Sequence, residues 1–250
     1  MIREFTCDLH IHTCLSPCGD LDMYPKAIIA KCLSERLDVI GICDHNASEN
    51  VGHVMEAARG TAITVLPGME ITTKEEVHII ALFDNMHELA AIQTFVYESL
   101  HGMNREDIFG CQPIVNADNE VVGFNERLLI GATGRSLRET VGEIHRHNGL
   151  AIAAHIDRES FSVIGQLGFI PPDIRFDALE VSCRTGIRKA REMYPELADY
   201  AFIESSDAHF INDVGRGKVR FHMGNPTIFE MKLALGGKKG RFFRGSDETC

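Results

Sequence analysis

Tryptophan is absent and tyrosine occurs only four times in 250 residues, which leaves 14 phenylalanines to supply any aromatic stacking. No apolar run approaches the roughly 18 residues of a membrane span. The first residues, Met-Ile-Arg-Glu-Phe, lack the apolar core of a secretion signal. Positive charge is in deficit: 25 Lys and Arg against 36 Asp and Glu give a net charge of −11. That balance argues against holding long nucleic acid by charge neutralisation, but it does not exclude a locally basic pocket. No basic stripe with interleaved aromatics is visible. Among the eight cysteines, Cys14 and Cys18 have no second pair at zinc-site spacing. Cys7, Cys32, Cys43 and Cys183 sit in apolar runs and read as buried thiols of a cytoplasmic protein.

What the sequence does contain is a rhythm of short apolar runs and amphipathic stretches. Strands are expected at 5–11, 38–43, 62–66, 77–83, 150–154, 177–182 and 201–205, most of them apolar on both faces as in covered parallel sheets. Pro25 opens a helix with Ile28, Ile29, Cys32 and Leu33 on one stripe. Val51, Val54, Met55 and Ala58 form a second stripe after Ser48. Ser136 and Glu139 make a capping box ahead of Leu137, Val141 and Ile144. This alternation predicts an α/β barrel somewhat short of eight units, with an open doubly wound sheet as the alternative. Residues 101–135 break the rhythm. Within them, 113–116 and 121–124 flank Ala117-Asp118-Asn119-Glu120 and read as a small hairpin insertion. One domain over residues 1–250 is expected.

The chemistry is written at the strand ends. Alternation puts Asp8, His10 and His12 on one face of the first strand, and such a group is costly to bury without a metal or a hydrogen-bond network. Asp8 is alternatively a partner that orients an imidazole. Further titratable groups follow other strands: Asp44-His45-Asn46, Gly68-Met69-Glu70, His155 and Ser206-Asp207-Ala208-His209. A parallel barrel gathers such residues at one mouth. His78 fits only if 69–73 and 77–83 form an antiparallel hairpin around Lys74-Glu75-Glu76, which returns it beside Glu70. His53, His87, His101, His145, His147 and His222 lie on helix faces or loops and receive no role.

Asp8-Leu9-His10-Ile11-His12-Thr13, Asp44-His45-Asn46, Gly68-Met69-Glu70, Ala154-His155 and Ser206-Asp207-Ala208-His209 together resemble the ordered motifs of the PHP (polymerase and histidinol phosphatase) family. The resemblance runs from residue 8 to about 210. It implies a distorted (β/α)7 barrel carrying two or three divalent metal ions and, in active members, phosphoester hydrolysis. Carried over by position, the implied ligands are His10, His12, His45, Glu70, His78, His155, Asp207 and His209. A ninth falls in the loop Ser16-Pro17-Cys18-Gly19-Asp20. Asp20 is the assignment and Cys18 the alternative, whose thiolate would favour zinc. The resemblance also implies a partition: His10, His12 and Asp207 on one ion, His78 and His155 on another, and Asp20, His45 and His209 on a third.

Mixed imidazole and carboxylate donors suit zinc, manganese or iron. A bridging Glu70 would leave a metal-activated hydroxide as the nucleophile, with Asp207 beside it. Arg158 and Arg184 are candidate phosphate-binding cations, and Arg158 is also a candidate catalytic residue. The leading expectation is hydrolysis of a small phosphorylated metabolite or nucleotide. An exonuclease on short oligonucleotides and a non-catalytic, metal-stabilised interaction module are the alternatives. Amidohydrolase chemistry is disfavoured because Ile79-Ile80-Ala81-Leu82-Phe83 ends in Asp84-Asn85, without the metal-bridging lysine of those barrels.

Overall fold

The computed structural model describes residues 1–245; the last five residues of the expected domain lie outside the described residues. In chain order the elements are β1 (Arg3–Ile11), α1 (Pro25–Ser34), β2 (Val39–Ile42), α2 (Val51–Ala57), β3 (Thr64–Thr72), β4 (His78–Leu82) and α3 (Met86–Tyr97). An inserted segment holds α4 (Glu106–Phe109), β5 (Pro113–Val115) and β6 (Val121–Phe124). Then come α5 (Leu137–Arg146), β7 (Leu150–Ala153), α6 (Val163–Leu167), β8 (Ala178–Ser182), α7 (Gly186–Met193), β9 (Phe202–Ser205), β10 (Val219–Met223), α8 (Ile228–Leu235) and β11 (Phe242–Gly245).

Seven strands form a nearly closed barrel in the order β1-β2-β3-β4-β7-β8-β9. All neighbours are parallel except β4, which runs antiparallel to both β3 and β7. Direct closure is made at one end. There His12 N–H donates to Ala208 C=O at 3.0 Å, and Ile11 bridges to Ala208 in parallel. At the other end β10 pairs antiparallel with Arg3–Cys7 of β1 and carries β11 on its outer edge, and both strands lie against β9. The sequence reading contains neither of these two strands. Yet β10 carries the alternation of a half-buried strand, with Val219, Phe221 and Met223 buried between Arg220 and His222.

The helices follow their local signals. Pro25 stands in the first turn of α1, which buries Ile28, Ile29 and Cys32; Leu33, expected on that stripe, is exposed. The capping box of Ser136 and Glu139 is formed, and α5 buries Leu137, Val141 and Ile144. The core has two layers. Leu66, Ile80, Leu82, Ile152 and Ile203 pack inside the barrel, with Ile228 and Met231 of α8 closing its base. Ile42, Met69, Ile79 and Val181 face outward onto the helices. Leu82 fills interior space left by two glycines: a Cβ at Gly41 or Gly68 would lie 2.9 or 2.6 Å from its Cδ2. The insertion forms its own β5–β6 hairpin, anchored where Asn50 accepts from Val115 N–H (2.9 Å) and donates to Thr13 Oγ1 (2.9 Å).

Candidate metal centre

The closed end of the barrel gathers the charged residues. In β1, Leu9 packs with the interior and Ile11 with the helix-facing layer, and the pairing with β2 is irregular between Asp8 and Ile11. This shift turns His10 and His12 into the mouth but corrects the expectation that Asp8 shares their face. Asp8 accepts instead from Ser206 N–H (3.0 Å) and Gly215 N–H (2.9 Å), and its burial lifts its pKa to about 6. It orients no imidazole; it fixes the backbone that leads into Asp207.

Glu70 is the hub. Its Oε1 lies 2.9 Å from His78 Nδ1 and 3.1 Å from His155 Nε2. Its Oε2 lies 3.0 Å from His45 Nδ1, 3.3 Å from His12 Nε2 and 3.5 Å from His10 Nε2. Burial by itself would raise the Glu70 carboxyl, but His78, His10 and His45 hold it well below the ordinary glutamate range. Asp207 Oδ1 lies 3.1 Å from His12 Nε2 and 3.3 Å from His10 Nε2, and those two imidazoles overcome its burial in the same way. His209 stacks on His12 with ring centroids 4.1 Å apart. His155, Asp207 and Asn46 all have positive φ (31°, 50° and 52°), a costly conformation for residues with side chains and one that accumulates at functional sites.

The antiparallel β3–β4 hairpin, with Thr72 opposite His78, is what returns His78 to Glu70. Asp44 and Asn46 support His45 from either side. Asp44 accepts from Thr13 N–H (2.7 Å) and Ser16 Oγ (2.7 Å), while Asn46 Nδ2 donates to Leu129 and Gly131 C=O (2.8 Å each). Ser16 Oγ in turn meets His12 Nδ1 at 2.9 Å. Asp20 does not join the cluster. Its Oδ1 accepts from Asp22 N–H (2.9 Å); Cys18 lines the cleft, but its thiol belongs to none of the donor groups either.

Three donor groups fit divalent ions: His10, His12, Glu70 and Asp207; His45, Glu70 and His78; and His12, His45 and His209. His78 thus falls with His45 as well as Glu70, a different grouping from the one the motif resemblance implies. His45 Nδ1, His78 Nδ1, His155 Nδ1 and Glu70 Oε2 are buried without a hydrogen-bond partner. Buried polar atoms without a well-formed hydrogen bond are uncommon in a settled fold, and His45 Nδ1, His78 Nδ1 and Glu70 Oε2 crowd together where a cation would satisfy them.

The cleft above has two adjoining lobes of about 530 and 640 Å³ that share Cys18, His155, Arg158, Asp207 and His209. Arg158 pairs with Asp207 Oδ2 between the lobes, and Arg184 lines the second. Sequence reasoning missed Glu180, which lies buried behind His10. Its signal was a lone carboxylate inside the apolar run Ala178–Ser182.

A family model described as PHP domain matches residues 8–169. The 5'-3' exoribonuclease Rnm of Escherichia coli is 32% identical over 88 residues, 33% of this chain and 29% of that protein. A 5'-3' exoribonuclease of Haemophilus influenzae is 30% identical over 84 residues, 32% of this chain and 30% of its own. These matches therefore span less than a third of either relative. The lesion-specific endonuclease PfuEndoQ of Pyrococcus furiosus superposes with a TM-score of 0.76 at 17% identity, over 96% of this chain and 58% of that one. At that identity the likeness is one of fold.

Proposed function

The chain belongs to the PHP domain family, and from that premise we propose that it is a metal-dependent phosphoesterase acting in the cytoplasm through one domain. The observation that carries this reading is Glu70, whose two carboxylate oxygens face different sets of imidazoles at 2.9–3.5 Å. The proposed ligands are His10, His12, His45, Glu70, His78, His155, Asp207 and His209, with Cys18 standing nearer the cleft than Asp20. Bound divalent ions would supply positive charge to the phosphoryl oxygens and lower the pKa of the attacking water.

The chain's own residues do the rest. Glu70 would be shared between ions, with Oε1 toward His78 and His155 and Oε2 toward His10, His12 and His45. Asp207, held by Arg158 and the imidazoles of His10 and His12, offers an acceptor at the mouth. Arg158 stands over the centre with a half-exposed guanidinium suited to a non-bridging phosphate oxygen. Arg184 offers a second cation in the neighbouring lobe. All seven described cysteines are free, in keeping with a reducing compartment. Among the described residues no helix is long and apolar enough to cross a membrane.

The substrate in this reading is a small phosphorylated metabolite or nucleotide. A second reading, a short oligonucleotide, is favoured by the two-lobed cleft, which leaves room on both sides of a scissile phosphodiester. The exoribonuclease names of the relatives favour it too. The test is a hydrolysis screen of manganese- and zinc-loaded protein against phosphate monoesters and short oligonucleotides, with metal analysis of the sample. Release of phosphate from monoesters alone selects the first reading, and shortening of oligonucleotides the second. No hydrolysis at full metal occupancy overturns the proposal.

A further inference from the structure

Each imidazole of β1 uses one nitrogen toward Glu70 and Asp207 and the other away from them, and the two outer partners differ. Behind His12 stands a neutral hydroxyl, Ser16 Oγ, at 2.9 Å from Nδ1. Behind His10 stands a carboxylate: Glu180 Oε1 and Oε2 lie 3.1 and 3.2 Å from His10 Nδ1. Glu180 is almost completely buried, and among the described residues no lysine or arginine forms an ion pair with it, Arg158 acting on it only at longer range. Its Oε1 also accepts from His155 N–H at 3.2 Å, and its own C=O accepts from Ile156 N–H at 2.9 Å. One side chain on β8 therefore grips the ring of His10 and the backbone of His155, the residue held at φ 31°. Those two residues approach opposite oxygens of Glu70.

We infer that Glu180 is a positioning residue that couples two parts of the metal centre, an inference that rests on the metal-dependent reading above. As an acceptor at His10 Nδ1 it keeps the proton on that nitrogen, so that Nε2 presents a lone pair toward Glu70 and Asp207. Its negative charge makes that lone pair a stronger donor than a hydroxyl partner would. Its bond to His155 N–H pins the left-handed turn that aims the second imidazole. A carboxylate buried without a cation of its own is costly. Positive charge arriving on the far side of His10 offsets that cost, so metal binding and the burial of Glu180 support each other.

The experiment compares the wild-type chain with Glu180→Gln and Glu180→Met. Each is stripped with a chelator, then titrated with zinc against a competing chelating indicator, and the melting temperature is recorded with and without metal. Glu180→Gln keeps an oxygen acceptor and so preserves the fold while removing the charge. It should bind the ions served by His10 and His155 roughly 10- to 100-fold more weakly. The ion at His12, His45 and His209 should be unaffected. Glu180→Met should lose more. The stabilisation on adding metal should shrink in both variants while the metal-free melting temperature of Glu180→Gln stays near wild type. Unchanged affinities in folded Glu180→Gln would overturn the coupling and leave the phosphoesterase reading standing. So would a uniform loss that tracks a lower metal-free stability. A wild-type chain that binds no zinc would overturn both.

Discussion

Thr72 and His78 stand opposite each other across the β3–β4 hairpin, and this pairing sets His78 Nδ1 2.9 Å from Glu70 Oε1. In an all-parallel barrel the first residue of a strand lies at the end away from the site. Reversing one strand moves it to the mouth. Glu70 thereby gains an imidazole at Oε1 that the parallel strands do not supply.

Glu70→Gln tests the hub. The substitution keeps the shape but removes the charge that both sub-centres share and replaces one acceptor oxygen with a donor. Turnover should fall roughly 10³-fold, about 4 kcal/mol in the barrier. The far-ultraviolet circular dichroism spectrum should be unchanged. Near-normal turnover in a folded variant would rule out the bridging role, since among the described residues no other carboxylate faces His10, His12, His45, His78 and His155 together.

Arg158→Ala should act on binding. The guanidinium lines both lobes and reaches Asp207 from the solvent side, with its side chain 46% exposed. Its loss should raise KM about tenfold, near the 1.4 kcal/mol of one charge-assisted contact, and weaken inhibition by inorganic phosphate. Metal content by elemental analysis should stay at the wild-type level. Arg184→Ala, in the outer lobe, should raise KM less for monoesters than for oligonucleotides.

Much of this site was legible in the sequence because its donors sit at the ends of apolar strands, where a barrel topology dictates that they meet. His45, Glu70, His155 and Asp207 are found that way. Asp8 misled because period-two alternation assumes an unbroken strand, and β1 changes face between Leu9 and Ile11. Glu180 was lost for a different reason: a single carboxylate in an apolar strand has no local partner to announce it, since its partner His10 lies 170 residues away. The strands β10 and β11 escaped notice because they cover the end of the barrel away from the site, beyond the last of the motifs.

Packing inside the barrel predicts opposite outcomes for two glycines. A Cβ at Gly41 would sit 2.4 Å from Leu9 C=O and 2.9 Å from Leu82 Cδ2, and the carbonyl belongs to a strand that cannot retreat. Gly41→Ala should therefore destabilise the protein by roughly 1–3 kcal/mol. Gly142 lies on the exposed side of α5 with nothing within 4 Å of the added carbon. Gly142→Ala should stabilise by about 0.5–1 kcal/mol, through helix propensity alone. Thermal unfolding of both variants decides the matter, and a stable Gly41→Ala protein would contradict the described interior.

The loop after β1 gives the sharpest division between sequence pattern and structure. Gly19 closes a tight turn, with its N–H on Ser16 C=O at 2.8 Å, and the next N–H, that of Asp20, donates to His209 C=O at 2.8 Å. Cys18 borders both lobes, whereas the Asp20 carboxylate turns back to Asp22 N–H. The Cys18 thiol belongs to none of the three donor groups, and burial beside Glu70 and Asp207 pushes it up to about 12, so a metal ion must displace its proton for it to bind. If the thiolate takes the loop's ligand position, Cys18→Ala should lower zinc affinity or stoichiometry. Asp20→Asn, which keeps the acceptor for Asp22, should leave both unchanged. A second readout is chemical: Cys18 is the most accessible of the described cysteines, and zinc should slow its alkylation as followed by peptide mass spectrometry. Loss of an ion in Asp20→Asn together with full zinc retention in Cys18→Ala would assign the position to the carboxylate. Thiolate coordination at this centre would then be excluded.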